Sequence, residues 1–270
     1  MMSIPRIAAR AATVALILAA TAESRAAEVD LELVLAVDVS GSIDEHEARL
    51  QRDGYVHALT DERVLAAITA GALGRIAVTY VEWADFNVAQ TTVDWHLIDG
   101  PEAADRFARR LAAAPLISAV WTSISNATEY AVNRLAENPH QGRRRVIDIS
   151  GDGANNSGNF VTRARDRAIT SGVTINGLPI INDRPDRYGY LQIPNLDLYY
   201  EDCVIGGPGA FLIIANGFKD FARAIRHKLI LEIAGVPAPT KPHLIPAVLP
   251  ARPGCDIGEK NRQMYFYDDY

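Results

Sequence analysis

The stretch "LVLAVDVSGSID", Leu33 to Asp44, constrains the fold more than any other part of the chain. Its first five residues are apolar without interruption, which marks a strand buried on both faces and not one with a wet side. Such a strand belongs inside a parallel sheet covered by helices. The run nevertheless ends in Asp38, Ser40, Gly41 and Ser42, so a segment built for burial delivers an acid and two hydroxyls at its tip.

The remainder of the chain supplies the layers such a sheet requires. Helical periodicity runs over residues 44–68, with Asp44 as the expected cap, and "RIAVTYVEWA" and "AQTTVDWHLI" read as two strands close enough to pair antiparallel. "PEAADRFARRLAAA" and the segment from Ser123 to Glu137 read as helices, and "RRVIDISGDG" as a strand running into a Gly-rich loop. "FVTRARDRAITSG" is a helix stopped by Gly172, "VTINGLPI" a strand, "GAFLIIAN" the last strand and "FKDFARAIRHKLILEIAG" the last helix. Strands alternating with helices predict an α/β, doubly wound, mostly parallel Rossmann-like sheet with one antiparallel edge strand and helices on both faces. With 49% hydrophobic residues the chain has enough apolar material for that core. Val236 to Pro253 is Pro-rich and reads as part of a C-terminal tail, not a second core.

The first residues have a different design. Arg6 and Arg10 precede an apolar stretch from Ala11 to Ala22, with small residues where a peptidase could cut, after Ala22 or Ala26. This is the layout of a secretory signal peptide, expected over residues 1–26, and its apolar part is shorter than the roughly 20 residues of a membrane span. No stable membrane span is expected, and the mature protein is expected to be periplasmic or secreted. A net charge of −6 and a pI of about 5.5 argue against a nucleic-acid partner. The one dense basic cluster, Arg143 to Arg145, reads as a solvated loop. Cys203 and Cys255 have no neighbours at zinc spacing. In an oxidising compartment a bridge between them would stabilise by about 4 kcal/mol in the chain-entropy treatment, although spacing alone does not say whether the sulfurs meet.

Two strands end in chemistry. In a parallel sheet ligands bind beyond the carboxyl ends of the strands, near the point where strand order reverses. Asp38, Ser40 and Ser42 lie at the end of one strand and Asp152 at the end of another, so they can share one crevice. Two carboxylates with neutral hydroxyls suit Mg²⁺, which takes oxygen ligands and keeps several waters; Mn²⁺ or Ca²⁺ would accept similar donors.

These residues carry a family resemblance. "DVSGS" resembles the D-x-S-x-S signature of von Willebrand factor type A (VWA) domains, "WTSISNATEYA" their threonine loop and "DISGDGANNSG" their last aspartate loop. The likeness extends over roughly Val29 to Gly235. It implies a VWA-like domain over residues 28–235 between the leader and a tail of residues 236–270. It also implies a metal-ion-dependent adhesion site (MIDAS) built from Asp38, Ser40, Ser42, Thr122 and Asp152. Trp121 and Ser125 stand where glycines are frequent in that family, so Ser123 is the alternative to Thr122. "YYEDCVIGGPGAFLIIANGFKDFARAIRHKLILEIAG" resembles the C-terminal half of a narrower group of exported bacterial VWA-like proteins forming a domain-of-unknown-function family.

Other readings are weaker on spacing. A D-x-D phosphatase would need an acid where Ser40 stands, a hydrolase elbow needs G-x-S-x-G, and no P-loop run occurs. Asn155 and Asn156 read as loop or cap residues, Trp83 as packing, and the six histidines form no metal motif. The expectation is a non-enzymatic, exported binding module that accepts a partner protein's carboxylate on a bound Mg²⁺. The alternative is a metal-dependent hydrolase or small-ligand-binding protein using the same crevice, with Asp85 as the nearest proposable base.

Overall fold

The computed structural model describes residues 26–185, 189, 191–235 and 251–267. The expected leader lies outside them apart from Ala26. A short strand β1 (Glu28–Val29) leads into β2 (Leu31–Asp38), α1 (Glu45–Leu59), α2 (Glu62–Thr69), β3 (Ile76–Trp83) and β4 (Ala89–Ile98). Next come α3 (Pro101–Ala113), α4 (Ile124–Ala136), β5 (Gln141–Gly142), β6 (Arg145–Gly151), α5 (Val161–Thr170) and β7 (Thr174–Ile181). The chain then forms α6 (Leu196–Tyr199), a π turn (Tyr200–Val204), β8 (Ala215–Asn216), a 3-10 turn (Phe218–Asp220), α7 (Phe221–Ala234) and α8 (Ile257–Tyr267).

Six strands form one sheet in the order β4-β3-β2-β6-β7-β8, with β3–β4 antiparallel and every other pairing parallel. This is the expected doubly wound sheet with one antiparallel edge strand. Residues of β2 alternate between two cores. Leu31, Leu33, Leu35 and Val37 join Tyr55, Phe107 and Phe221 from α1, α3 and α7, while Val34 and Ala36 join Ile124 and Ala127 of α4 on the opposite face. Full burial of each such Leu or Val stabilises by about 1.5–3 kcal/mol, which is why an uninterrupted apolar run is required here. The chain leaves β2 toward β3 on one side and β6 toward β7 on the other. Strand order therefore reverses between β2 and β6, and their carboxyl ends open a crevice.

Several local readings change in detail. The helical stretch 44–68 is two helices. Asp44 forms a capping box with Glu47, through bonds of 2.8 and 3.0 Å, and Asp61 starts the second helix by accepting from the Arg63 amide at 3.0 Å. The last strand is confined to Ala215–Asn216, with a separate parallel bridge to β7 at Gly177–Leu212, and ahead of that bridge the Asn176 carboxamide oxygen accepts from the Phe211 amide at 3.0 Å. Arg144 is no solvated loop residue: its guanidinium donates to the Glu232 and Ile233 carbonyls at 2.7 and 2.9 Å, capping α7. Burial lowers its pKa, an effect opposed by the charges of Glu232 and Asp30.

A buried ionic group also went unseen in the apolar reading of β6. Lys228 Nζ lies 2.7 Å from Asp148 Oδ1 and also bonds Glu232, with all three side chains 0% exposed. Burial and the charge of Glu232 push the Asp148 carboxyl up to about 7 against the opposing pull of Lys228. Of the expected tail, residues 236–250 lie outside the described residues, but 251–267 return to the domain. There Cys255 bonds Cys203, and Arg252 pairs with Glu201 and Asp202. No helix among the described residues is long and apolar enough to cross a membrane.

Candidate metal centre

The crevice at the reversal point collects all five residues singled out by sequence. Asp38 ends β2 with its side chain 0% exposed, and its Oδ1 accepts from the Ser40 amide at 2.7 Å. The chain then turns so that the Ser40 and Ser42 hydroxyls lie 3.2 Å apart. Gly41 is required between them, since a Cβ there would stand 2.9 Å from the Val120 carbonyl oxygen. Ser42 Oγ donates to Asp152 Oδ1 at 2.6 Å, and Thr122 Oγ1 to Ser40 Oγ at 3.2 Å. Three loops that are distant in sequence thus share one continuous hydroxyl and carboxylate chain.

The electrostatics are unbalanced. Asp38 Oδ2 is buried without a hydrogen-bond partner, and an unsatisfied buried polar atom costs about 1–3 kcal/mol, more when charged. Burial first, and the Asp152 charge second, raise the Asp38 carboxyl well above its usual range. Two carboxylates held together out of water, one with an orphaned oxygen, fit a hard divalent cation. Among the described residues, no group of three or more His, Cys, Asp or Glu side chains is placed to hold an ion, so the donors on offer are two carboxylates and three hydroxyls.

The structure assigns different work to Thr122 and Ser123. Ser123 caps α4 by accepting from the Asn126 amide at 3.3 Å and donates to the Ser157 carbonyl at 2.9 Å, whereas the Thr122 hydroxyl faces Ser40. Asp85 is engaged outside the crevice by Ser157 Oγ and, at 2.7 Å, by the Phe86 amide. Trp83 is fully buried in the core.

Sequence reasoning missed how the loops are held. Asn156 Oδ1 accepts from the Thr122 amide at 2.8 Å while the Asn156 amide donates to the Thr122 carbonyl at 2.8 Å. Asn155 Oδ1 accepts from the Ser125 amide at 2.9 Å. The asparagine pair therefore fastens the Thr122 loop to the Asp152 loop. Helix α8 fastens the asparagines in turn: Asn155 Nδ2 donates to Glu259 at 2.7 Å, and Arg262 donates to the Asn156 carbonyl at 3.0 Å and lies 4.3 Å above the Trp121 ring. The only sequence signal for this return was Cys255, because carboxamide pairing across a hundred residues leaves no local pattern.

Solved structures similar to this one share its architecture. Proximal thread matrix protein 1 (PTMP1) from the mussel byssus superposes with a TM-score of 0.56 at 14% identity, over 78% of this chain and 49% of that one. The pilus adhesin SpaC from Lactobacillus rhamnosus GG gives 0.57 at 13% identity, over 76% of this chain and 31% of that one. A von Willebrand factor type A protein from Catenulispora acidiphila gives 0.53 at 14%, over 76% and 43%. This chain therefore spans about half the length of PTMP1 and less of the other two. One PTMP1 structure is described as having a zinc-occupied MIDAS motif. The fold is that of a VWA-like α/β domain.

Within that class, the chain belongs to the family described as "Protein of unknown function (DUF1194)", which matches residues 28–237. No curated protein matches it by sequence.

Proposed function

We propose that the protein is an exported, metal-dependent protein-binding module of adhesion type. In this reading Asp38, Ser40, Ser42, Thr122 and Asp152 hold a divalent cation, Mg²⁺ or else Mn²⁺ or Ca²⁺. When bound, the cation supplies an electrophilic position for a carboxylate oxygen of a partner protein. The observation that carries the reading is the orphaned, fully buried Asp38 oxygen beside a second carboxylate and three convergent hydroxyls.

The chain's own residues divide the work. Asp38 and Asp152 provide the charge that draws in a cation. Ser40, Ser42 and Thr122 provide neutral oxygens, so the site does not cancel the ion's charge and remains receptive to a partner's acid. The asparagine pair keeps the Thr122 loop in register with Asp152. Export is supported by the basic and apolar leader and by the Cys203–Cys255 bridge, since such bridges persist in oxidising compartments. Residues 28–235 carry the five-residue centre, residues 1–26 are a leader, and residues 236–270 are a tail of which 251–267 pack back on the domain. Hydrolysis in the same crevice would need a base, and Asp85, the residue proposed for it, points its carboxylate at Ser157 and the Phe86 amide.

The test is capture from envelope extract on immobilised protein, in parallel with Mg²⁺ and with EDTA. A partner retained only with Mg²⁺, and lost when its acidic residues are amidated, is the expected result. Turnover of generic ester or phosphate substrates with no metal-dependent partner would overturn the proposal.

A further inference from the structure

Beside the candidate metal centre lies a cavity of about 290 Å³, whose lining includes Ser42, Thr122 and Asp152 together with Trp121, Leu191 and Ile193. Its volume sits at the lower limit of small-molecule pockets, which run from about 300 to 1,000 Å³. A single bulky side chain suits it better than a cofactor. Helix α8 contributes Gly258 and Asn261 to the lining. Gly258 allows this close approach, because a Cβ there would fall 2.1 Å from the Asn155 carbonyl oxygen.

The surroundings are apolar in an unusual place. Among the described residues, the exposed large hydrophobic side chains are Phe86, Val120, Phe160 and Leu191, at 57%, 53%, 52% and 68% exposure. All four stand on loops at the end of the sheet where Asp38 and Asp152 lie. Val120 and Leu191 line the cavity itself. Apolar side chains gathered on one face mark an interaction surface. Arg184 on the same rim pairs with Glu47 yet keeps its side chain 68% exposed, which favours an acidic visitor.

We propose that this cavity is a second subsite that takes a bulky apolar side chain next to the partner's metal-bound acid. The preferred partner is then a polypeptide segment in which Asp or Glu is flanked within two positions by Phe, Trp, Leu or Met. This deepens, and rests on, the reading of the crevice as a metal-dependent protein-binding site. The physical reason is adjacency. Ser42, Thr122 and Asp152 belong to both sites, so a carboxylate held at one places its neighbour's side chain over the other. A few anchors buried in well-packed pockets, aromatic ones above all, carry most of the energy of an interface.

The experiment selects random ten-residue peptides displayed on phage against the disulfide-intact protein in Mg²⁺, then measures synthetic winners by fluorescence anisotropy. Winners are expected to carry an acid with an adjacent bulky apolar residue, and replacing that residue by Ala should weaken binding at least tenfold. Val120→Ser with Leu191→Ser should weaken the parent peptide by a similar factor and leave the Ala peptide unchanged. The Mg²⁺-dependent melting shift should stay as in wild type, since both side chains are exposed and outside the five-residue centre. Winners with an acid but no apolar preference, or an unaffected double variant, would overturn the subsite while leaving the metal-dependent reading standing. Binding that ignores EDTA but falls in the double variant would sink the metal-dependent reading, and with it the placing of the apolar side chain beside a metal-bound acid. Absence of any enrichment would overturn the subsite.

Discussion

Replacing Asp38 by Asn separates the cost of the candidate centre from its use. The substitution keeps the acceptor for the Ser40 amide, now at 2.7 Å, and removes a buried charge that has an orphaned oxygen and faces Asp152. The carboxamide Nδ2 that takes the place of the orphaned oxygen is still polar but uncharged, and exchanging a charged for a neutral unsatisfied buried group is worth about 2 kcal/mol, which for a domain of this size is roughly 4–8 °C in Tm. In EDTA the variant should therefore melt above wild type. At a thousandfold excess of Mg²⁺ over Kd, wild type should gain about 4.1 kcal/mol, roughly 8–16 °C, and the variant nothing, so the order reverses. The pH dependence follows from the raised Asp38 carboxyl. Between the ordinary carboxylate range and that raised value the native state holds a proton the unfolded state has lost, so metal-free wild type loses stability as pH rises through this window. The variant has no titrating group at this position, so its advantage in EDTA should widen with rising pH. Differential scanning fluorimetry with EDTA and with Mg²⁺, at pH 5 and 7.5, checks all of this. A variant that melts below wild type in EDTA, or that responds to Mg²⁺ as wild type does, would refute the reasoning.

Thr122→Ala should weaken Mg²⁺ binding only modestly, because Asp38 and Asp152 supply the charge and a water can replace one neutral hydroxyl, while abolishing metal-dependent partner capture; calorimetric Mg²⁺ titration beside the capture assay reads both. Lys228→Met strands the buried Asp148 and Glu232 carboxylates and should cost about 3–5 kcal/mol at pH 8. With Lys228 present the Asp148 carboxyl is held at about 7, so losing Lys228 raises it further; the native variant then keeps a proton that the unfolded chain releases, and the penalty in urea unfolding should shrink at pH 5.5. Cys203→Ser with Cys255→Ser opens a link across 52 residues, worth about 4 kcal/mol by chain entropy; hydrogen exchange should then rise at the Asn155 and Asn156 amides. Intact mass of the wild type should be two hydrogens below the reduced chain, and full thiol labelling of the native protein would contradict the bridge.

Local pattern determined most of the architecture. The uninterrupted run of β2 could be stable only with apolar cover on both faces, and the spacing of "AQTTVDWHLI" behind "RIAVTYVEWA" set an antiparallel edge; both appear where expected, at Leu31–Asp38 and Ala89–Ile98. Asp38, Ser40 and Ser42 were legible as a group because they share one strand end, and Thr122 and Asp152 because their own loops carry a short motif. Periodicity and short motifs are properties of a few consecutive residues, so one chain reveals them. Tertiary structure alone decided what those loops do to one another. Asn155 and Asn156 look like ordinary turn residues until Thr122 and Ser125 are brought opposite them, and Arg144 looks solvated until the end of α7 arrives. Asp148 is one polar letter in an apolar strand until Lys228 closes on it, and α8 has no visible purpose until Cys255 meets Cys203. A hydrogen bond or ion pair between distant segments depends on two separate environments meeting, and neither segment's local sequence records the other.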